Sequence, residues 1–207
     1  DKFLQIKNLK IFFPISIVIS SVIIFWFFDY KDIILILGLL FSVYLIVSVI
    51  FDWISQKKLS LNFGRLVSHL GFGTLIFAIF INAYLSKEIN AAMKVGDEIK
   101  IQEFIIKIKK ENYEEVFGNF LVTHKQKQVE LTPSIRKYDQ PVQFTSETSI
   151  KTNFIVDYYF AINLSEFEKD KIMVRFYYKP LMFWIWFSIL LIAFGGFYQT
   201  FRLRNEQ

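Results

Sequence analysis

The sequence predicts an integral membrane protein with four α-helical spans and an extracytoplasmic domain that is an antiparallel β-sandwich or small barrel. Three observations predict this fold class: four long apolar windows, basic residues near the window ends, and period-two alternation of apolar residues in the polar remainder. Of the 207 residues, 54% are hydrophobic and yet 21% are charged, so the charge must be segregated from the windows.

The four windows set the predicted division of the chain. A span needs about 20 largely uncharged residues to cross the hydrocarbon core of a bilayer. Spans are predicted at about 11–28, 33–51, 66–85 and 181–200, and His69 is the only histidine or charged residue inside them. The remaining segments are a β-rich domain at 86–180 and a tail at 201–207.

Lysine and arginine predict the orientation, because basic flanks are retained on the cytoplasmic side. We therefore expect both termini on the cytoplasmic or matrix side of a bacterial or mitochondrial inner membrane. Residues 86–180 are then periplasmic or in the intermembrane space. The basic flanks are Lys2, Lys7 and Lys10, then Lys57, Lys58 and Arg65, and finally Arg202 and Arg204.

The amino-acid composition limits which chemistry and which partners are expected for this chain. The chain has no cysteine, which excludes thiol chemistry and disulfides in the outward-facing domain. The net charge of +5 reflects the retained flanks and a lysine-decorated surface. Such a surface favours anionic membrane lipid, and we expect no nucleic-acid partner.

Strands are predicted in the β-rich domain from Asp97 onward. Alternating apolar residues predict half-buried strands at 154–164 and 172–178, with weaker signals at 99–101, 106–108 and 120–122. Gly96 and Asp97 are expected to start the first strand, Pro133 and Pro141 to bracket a loop, and residues 165–170 to form a charged turn. Residues 174–180 lead almost directly into the fourth span, which predicts a domain held close to the membrane surface.

The sequence contains no recognisable set of catalytic residues. The β-rich domain holds one histidine, His124, among lysines at a strand end, and we expect it to be an exposed surface residue.

His69 is the chemically unusual residue, because ionisable groups inside a span are costly and usually face a bundle interior or a cofactor. Helical spacing places Arg65 one turn before it and Gly73 one turn after it. A haem axial ligand is one interpretation, with Arg65 pairing a propionate and Gly73 leaving space for the porphyrin. The alternative is a histidine hydrogen-bonded to a neighbouring helix, with Gly71 and Gly73 permitting close helix packing. The residues alone leave both open.

A series of short motifs carries a family resemblance from about residue 63 to residue 207. In order these are Ser68-His69-Leu70-Gly71, Val95-Gly96-Asp97, Leu131-Thr132-Pro133 with Arg136 and Tyr138, Asp157-Tyr158-Tyr159, Pro180-Leu181, Trp184-Ile185-Trp186 and Gly195-Gly196. In this order, with a domain before the last span, they resemble the C-terminal part of the CcmF family. Its members are the haem lyase subunits of the cytochrome c maturation system.

The resemblance implies a function and a cofactor. In that family the matching histidine is one of two ligands to a membrane haem b, so His69 is expected to be an axial ligand to the haem iron. The family takes haem from the chaperone CcmE and attaches it to apocytochrome c, which CcmH/CcmI-type chaperones present. The chain is therefore expected to be a component of a cytochrome c haem lyase.

Departures from the family pattern limit what the chain can do alone. The tryptophan-rich haem-handling segment and the second haem-ligating histidine have no match in this sequence. We expect the tail of a longer CcmF, or one subunit of a split one, that is not catalytically complete alone. An alternative from a different class is a membrane-anchored extracytoplasmic protein-binding or assembly module without a cofactor.

Overall fold

The computed structural model describes residues 2–27, 32–55, 59–94, 96–101, 103–112, 117–124, 126–164 and 171–205. The chain divides into two compact units. One contains Asp1–Tyr84 and Leu181–Gln207, and the other contains Leu85–Pro180.

The first unit is helical. It contains α1 (Lys2–Phe27), α2 (Ile33–Ser55), α3 (Leu59–Leu85) and α4 (Met182–Asn205). Three stretches are long and apolar enough to cross a membrane: Ile33–Ile54, Asn62–Leu85 and Met182–Arg202. The described apolar stretch of α1, Pro14–Trp26, is shorter. Asp32 caps α2, because its side-chain Oδ1 accepts hydrogen bonds from the backbone N–H groups of Ile34 and Leu35 at 3.1 and 3.2 Å.

Small residues on α3 let α4 approach closely. A Cβ atom on Gly64 would lie 2.5 Å from the carbonyl oxygen of Gly195, and one on Gly71 would lie 2.9 Å from the carbonyl oxygen of Ser188. The hydroxyl of Ser68 donates a hydrogen bond to the carbonyl oxygen of Ile192 at 3.1 Å. This pattern of small residues and a hydroxyl at a crossing is typical of helix pairs in membranes.

The second unit is a β-sandwich of two antiparallel sheets. One sheet has the strand order β1-β10-β9-β8; the other has the order β2-β3-β4-β6-β7, with β5 paired to β4. The strands are β1 (Lys87–Met93), β2 (Glu98–Ile101), β3 (Phe104–Asn112), β4 (Phe117–His124), β5 (Lys127–Leu131), β6 (Ser134–Asp139), β7 (Val142–Glu147), β8 (Ser149–Thr152), β9 (Val156–Leu164) and β10 (Ile172–Pro180).

The core lies between the two sheets. Phe160 of β9 pairs with Phe176 of β10, and Ile89 of β1 pairs with Phe176 from the other side. Alternate residues of β9 and β10 are buried and meet Ile106, Phe120 and other residues of the second sheet. The predicted combination of apolar helices with a β-sandwich is therefore confirmed, as is the alternation at 156–162 and 172–176.

Three details of the sequence interpretation are wrong. The first strand begins at Lys87, and Gly96-Asp97 forms the turn that follows it. Residues 134–139 form β6, not a loop, and Pro141 lies in the turn to β7. Phe154 is 68% exposed in the turn before β9, so it does not continue the buried alternation. The alternation was too weak to predict these strands, because Ile135 is the one buried residue of β6, β7 has none, and β1 is partly built from alanine. The predicted charged turn at 165–170 lies outside the described residues.

Candidate functional site

His69 lies on α3 and its ring is held by the helix itself. The Nδ1 atom of His69 is 2.8 Å from the backbone carbonyl oxygen of Arg65, one turn earlier. In the tautomer that makes this hydrogen bond, Nδ1 carries the proton and donates it. Nε2 then has a free lone pair. Metal-ligating histidines usually donate their second ring nitrogen in this way, which fixes the ring and raises the basicity of the ligating atom.

The side chain of His69 is on an exposed stripe of α3. Arg65, Phe72 and Ile79 follow the same stripe at helical spacing, and all four are exposed. The face toward α4 is closed by Gly64, Ser68 and Gly71, as described above. The helical unit therefore presents the imidazole outward, where another chain segment or a bound group can reach it.

Arg65 has an acidic neighbour that the sequence analysis missed. A guanidinium nitrogen, Nη2, lies 3.8 Å from Oδ2 of Asp52 on α2. Both side chains are about half exposed, so the pair contributes little stability. Guanidinium has five N–H donors, and this long contact leaves most of them available to a second anion. The sequence separation between Asp52 and Arg65 does not predict this ion pair, because the two residues lie on different helices.

Gly73 is buried against α2. A Cβ atom there would lie 3.0 Å from Cγ1 of Ile46 and 3.2 Å from the Cβ atom of Leu45. Gly38 of α2 likewise accommodates the ring of Phe80. The space beside Gly73 is thus occupied by a neighbouring helix, which is the arrangement that the packing interpretation expects.

The residues on the exposed stripe fit one half of a haem site. They supply one imidazole with a free nitrogen and one half-exposed guanidinium, which match an axial ligand and a propionate partner. His124, the other histidine, is in the β-sandwich unit. Within the described ranges no group of three or more His, Cys, Asp or Glu side chains is placed to hold a metal ion.

His124 is not the exposed residue that the sequence suggested. Its side chain is 12% exposed and its Nε2 atom lies 3.2 Å from Oε2 of Glu103. The ring stacks on Phe104 with centroids 4.5 Å apart and meets Tyr178 edge-on at 5.1 Å. Burial raises the pKa of Tyr178, and Glu103 raises it further. In the sequence, His124 stands next to lysines. The aromatic cluster could not be predicted, because its members come from three different strands.

Asp157 is a buried acid at the start of β9. Its side chain is on the face opposite the core residues Val156 and Tyr158, and it is 5% exposed. The hydroxyl of Tyr159 donates to Oδ2 at 3.3 Å, whereas Oδ1 has no hydrogen-bond partner. Burial raises the pKa of the Asp157 carboxyl, and the hydrogen bonds from Tyr159 and Thr152 only partly offset this.

Comparison with known proteins identifies this sandwich. Residues 84–180 match the profile of the family described as the CcmF C-terminal beta-sandwich. The matched range covers the whole β-sandwich unit. The chain is also 29% identical over 209 aligned residues to cytochrome c-type biogenesis protein CcmF of Escherichia coli K12, which covers 95% of this chain and 32% of that protein. The predicted resemblance to the C-terminal part of CcmF is confirmed.

Other relatives give the same result. Cytochrome c-type biogenesis protein NrfE of Haemophilus influenzae is 26% identical over 163 residues, covering 75% of this chain and 26% of that protein. CcmF of Pseudomonas aeruginosa is 28% identical over 140 residues, covering 64% of this chain and 21% of that protein. The chain thus spans about a third or less of these CcmF-type relatives.

A solved structure shares the fold. The cytochrome c haem lyase CcmF aligns with a TM-score of 0.64 at 13% identity, over 90% of this chain and 33% of that chain. The aligned region includes the helices as well as the β-sandwich. Several CcmF-like motifs lie at junctions of the fold: Gly96 with φ of 89° in the β1–β2 turn, Asp157 at the start of β9, and Pro180 at the end of β10.

Proposed function

We propose that this chain acts as the C-terminal portion of a cytochrome c haem lyase and contributes one axial ligand, His69, to a haem b in the membrane. The observation that supports the proposal is the 2.8 Å contact between Nδ1 of His69 and the Arg65 carbonyl oxygen, which occupies Nδ1 and leaves Nε2 as the ring nitrogen for a ligand bond. An exposed imidazole on an apolar helix is costly against lipid, so a bound group or helix is expected to cover it.

The chain's own residues hold and orient this group. His69 would offer Nε2 to the iron, and the backbone of Arg65 fixes the direction of the ring. The guanidinium of Arg65 would pair with a propionate. A bound haem b would supply one-electron transfer. The second axial ligand and the haem-handling segment come from the rest of CcmF or from a split partner subunit.

The proposed setting is an inner membrane. The four apolar helices span it with both termini on the cytoplasmic or matrix side, and the β-sandwich lies on the periplasmic or intermembrane side. The three described helices that are long and apolar enough to cross a membrane support this setting. The proposed partners are the haem chaperone CcmE, CcmH/CcmI-type chaperones and apocytochrome c.

Complementation tests the lyase role. Cells that carry only the matching N-terminal part of CcmF receive this chain, and covalently bound haem in a cytochrome c is stained on a denaturing gel. We expect staining with the wild-type chain and loss of it with His69→Ala. His124→Phe serves as the control, because it removes the other imidazole and keeps an aromatic ring. Full staining with His69→Ala would overturn the ligand assignment.

A second candidate function is supported by the β6–β7 hairpin. Its residues Val142 and Phe144 lie on one face of the hairpin and are 68% and 56% exposed, which is typical of a protein-binding surface. As a cofactor-free assembly module, the chain would bind a partner through this face. Val142→Ser with Phe144→Ser would then abolish partner capture while His69→Ala leaves it intact. The haem lyase proposal predicts that His69→Ala also abolishes cytochrome c maturation.

A further inference from the structure

The turn between β8 and β9 exposes two consecutive large apolar residues. Phe154 and Ile155 are each 68% exposed. Turn tips ordinarily hold Gly, Asn, Asp, Ser or Pro. Two bulky apolar side chains at the centre of a tight turn therefore need an explanation other than turn geometry.

Asn153 holds this turn in one conformation. Its side-chain Oδ1 accepts hydrogen bonds from the backbone N–H groups of Ile155 and Val156, both at 2.8 Å. Its own N–H donates to the carbonyl oxygen of Val156 at 3.1 Å. Four residues thus close the β8–β9 hairpin, in which Thr152 pairs with Asp157. The exposure of the two apolar side chains therefore follows from the hydrogen-bonded geometry of this turn.

The strand register places the turn beside the chain's exit from the sandwich. Val156, the residue after the tip, pairs with Pro180 at the end of β10. Only Leu181 separates Pro180 from Met182, the first residue of α4. Consecutive Cα atoms are about 3.8 Å apart, so the tip is within a few residues' reach of the start of an apolar helix.

Basic and aromatic residues accompany the tip. Lys151 precedes it on β8 and Lys179 faces Asp157 on β10, with its Nζ atom 5.6 Å from the centre of the Tyr177 ring. Trp184 and Trp186 follow in the first turns of α4. Aromatic side chains are enriched at membrane interfaces, and lysines there are attracted to anionic headgroups.

We propose that Phe154 and Ile155 form a lipid-inserting tip that anchors the β-sandwich to the membrane surface. The inference rests on the proposed membrane span of α4 and goes beyond the haem site. The partner is a bilayer surface with anionic headgroups: the two apolar side chains enter the boundary between headgroups and acyl chains, and Lys151 and Lys179 remain at headgroup level.

Spin labelling tests the proposal, because a chain without cysteine accepts a single engineered label. Phe154→Cys and Ile155→Cys variants of the full chain are each labelled with a nitroxide and reconstituted into phosphatidylcholine–phosphatidylglycerol vesicles. Power saturation then measures collisions of the label with oxygen, which concentrates in lipid, and with a water-soluble nickel chelate. We expect both tip labels to be oxygen-rich and chelate-poor.

Val142→Cys is the matched control in the sandwich. Val142 is also 68% exposed, but it is the first residue of β7, separated from the β8–β9 turn by the whole length of β7 and β8. Its label is expected to be chelate-rich. Leu190→Cys, an exposed position inside α4, controls the span and is expected to show the lipid signature.

Each other outcome overturns the proposal in a recognisable way. Tip labels that the chelate reaches as readily as at Val142 would place the tip in water. Tip labels that neither reagent reaches would show that protein, such as a second copy, covers the tip. If Leu190 itself lacks the lipid signature, the proposed span fails along with the tip. If only the tip labels fail, the span and the proposed function stand.

Discussion

The Nδ1 atom of His69 lies 2.8 Å from the backbone carbonyl oxygen of Arg65. Because the acceptor is a main-chain atom, the side chain of Arg65 can be changed without releasing the imidazole. Arg65 therefore separates two roles: its backbone carbonyl orients the ring, and its guanidinium, 3.8 Å from Asp52, is the group proposed to bind a propionate. This separation makes the roles testable one at a time.

Arg65→Gln and Asp52→Asn are expected to shift the haem midpoint potential of the assembled complex in opposite directions. Loss of the positive charge near the haem disfavours the added electron and lowers the potential, whereas loss of the Asp52 charge raises it. The expected scale is tens of millivolts, measured by potentiometric titration. If the ion pair is only structural, both variants leave the potential unchanged.

Gly195→Ala is expected to weaken the pairing of α3 with α4. The new Cβ atom would lie 2.5 Å from the carbonyl oxygen of Gly64, and it would also overlap the side chain of Ser68. Overpacking of this kind costs about 1–3 kcal/mol, which a lower SDS midpoint for unfolding in mixed micelles would report.

The adjacent Gly196 provides the control for this substitution. A Cβ atom at Gly196 meets nothing within 4 Å, so Gly196→Ala should be neutral or stabilising by up to about 1 kcal/mol. Equal midpoints for the two alanine variants would contradict the close crossing.

Asp157→Asn is expected to stabilise the β-sandwich at neutral pH. Burial raises the pKa of this carboxyl in the folded state, so the folded state holds the proton more tightly than the unfolded state. The group therefore favours folding at a pH below the ordinary aspartate pKa. That contribution is lost as the pH rises through the raised pKa.

Hydrogen exchange of β9 amides as a function of pH measures this effect. The wild-type chain should lose protection as the pH rises through that window, and Asp157→Asn should show a flatter profile and slower exchange at neutral pH. Faster exchange in the variant at neutral pH would mean that the carboxylate stabilises the fold, for example through Lys179, with which Asp157 is paired across the strands.

His124→Ala is expected to destabilise the sandwich by about 1–2 kcal/mol, since it removes the ring that stacks on Phe104 and meets Tyr178. His124→Phe keeps the stacking and loses only the contact with the exposed Glu103, so its cost should be below about 1 kcal/mol. Thermal unfolding of the β-structure, followed by circular dichroism, compares them. An alanine variant as stable as the phenylalanine variant would exclude an aromatic role.

The sequence was informative wherever burial is one-sided. The alternation of Phe160 and Ile162 with Tyr159, Ala161 and Asn163 predicted β9, because one face of that strand fills the core. The apolar windows predicted the helices for a different reason, since about 20 uncharged residues are typical of a membrane span. His69 stood out because a histidine is rare among such residues.

Features that depend on contacts between distant segments could not be predicted. Asp52 pairs with Arg65 across two helices, and the ring cluster around His124 combines β3, β4 and β10. The β6–β7 hairpin buries only Ile135 in the core, and one buried residue does not impose a period-two pattern. The space next to Gly73 depends on which helix packs there, and spacing along α3 alone cannot give this.

The haem content of the assembled complex tests whether His69 is a ligand of haem b. The chain is purified with the matching N-terminal part of CcmF, its proposed partner, and haem b is measured by the reduced-minus-oxidised absorption spectrum for the wild type, His69→Ala and His124→Phe. We expect the b-type bands to be lost with His69→Ala and unchanged with His124→Phe. Full b-type bands with His69→Ala would contradict this expectation.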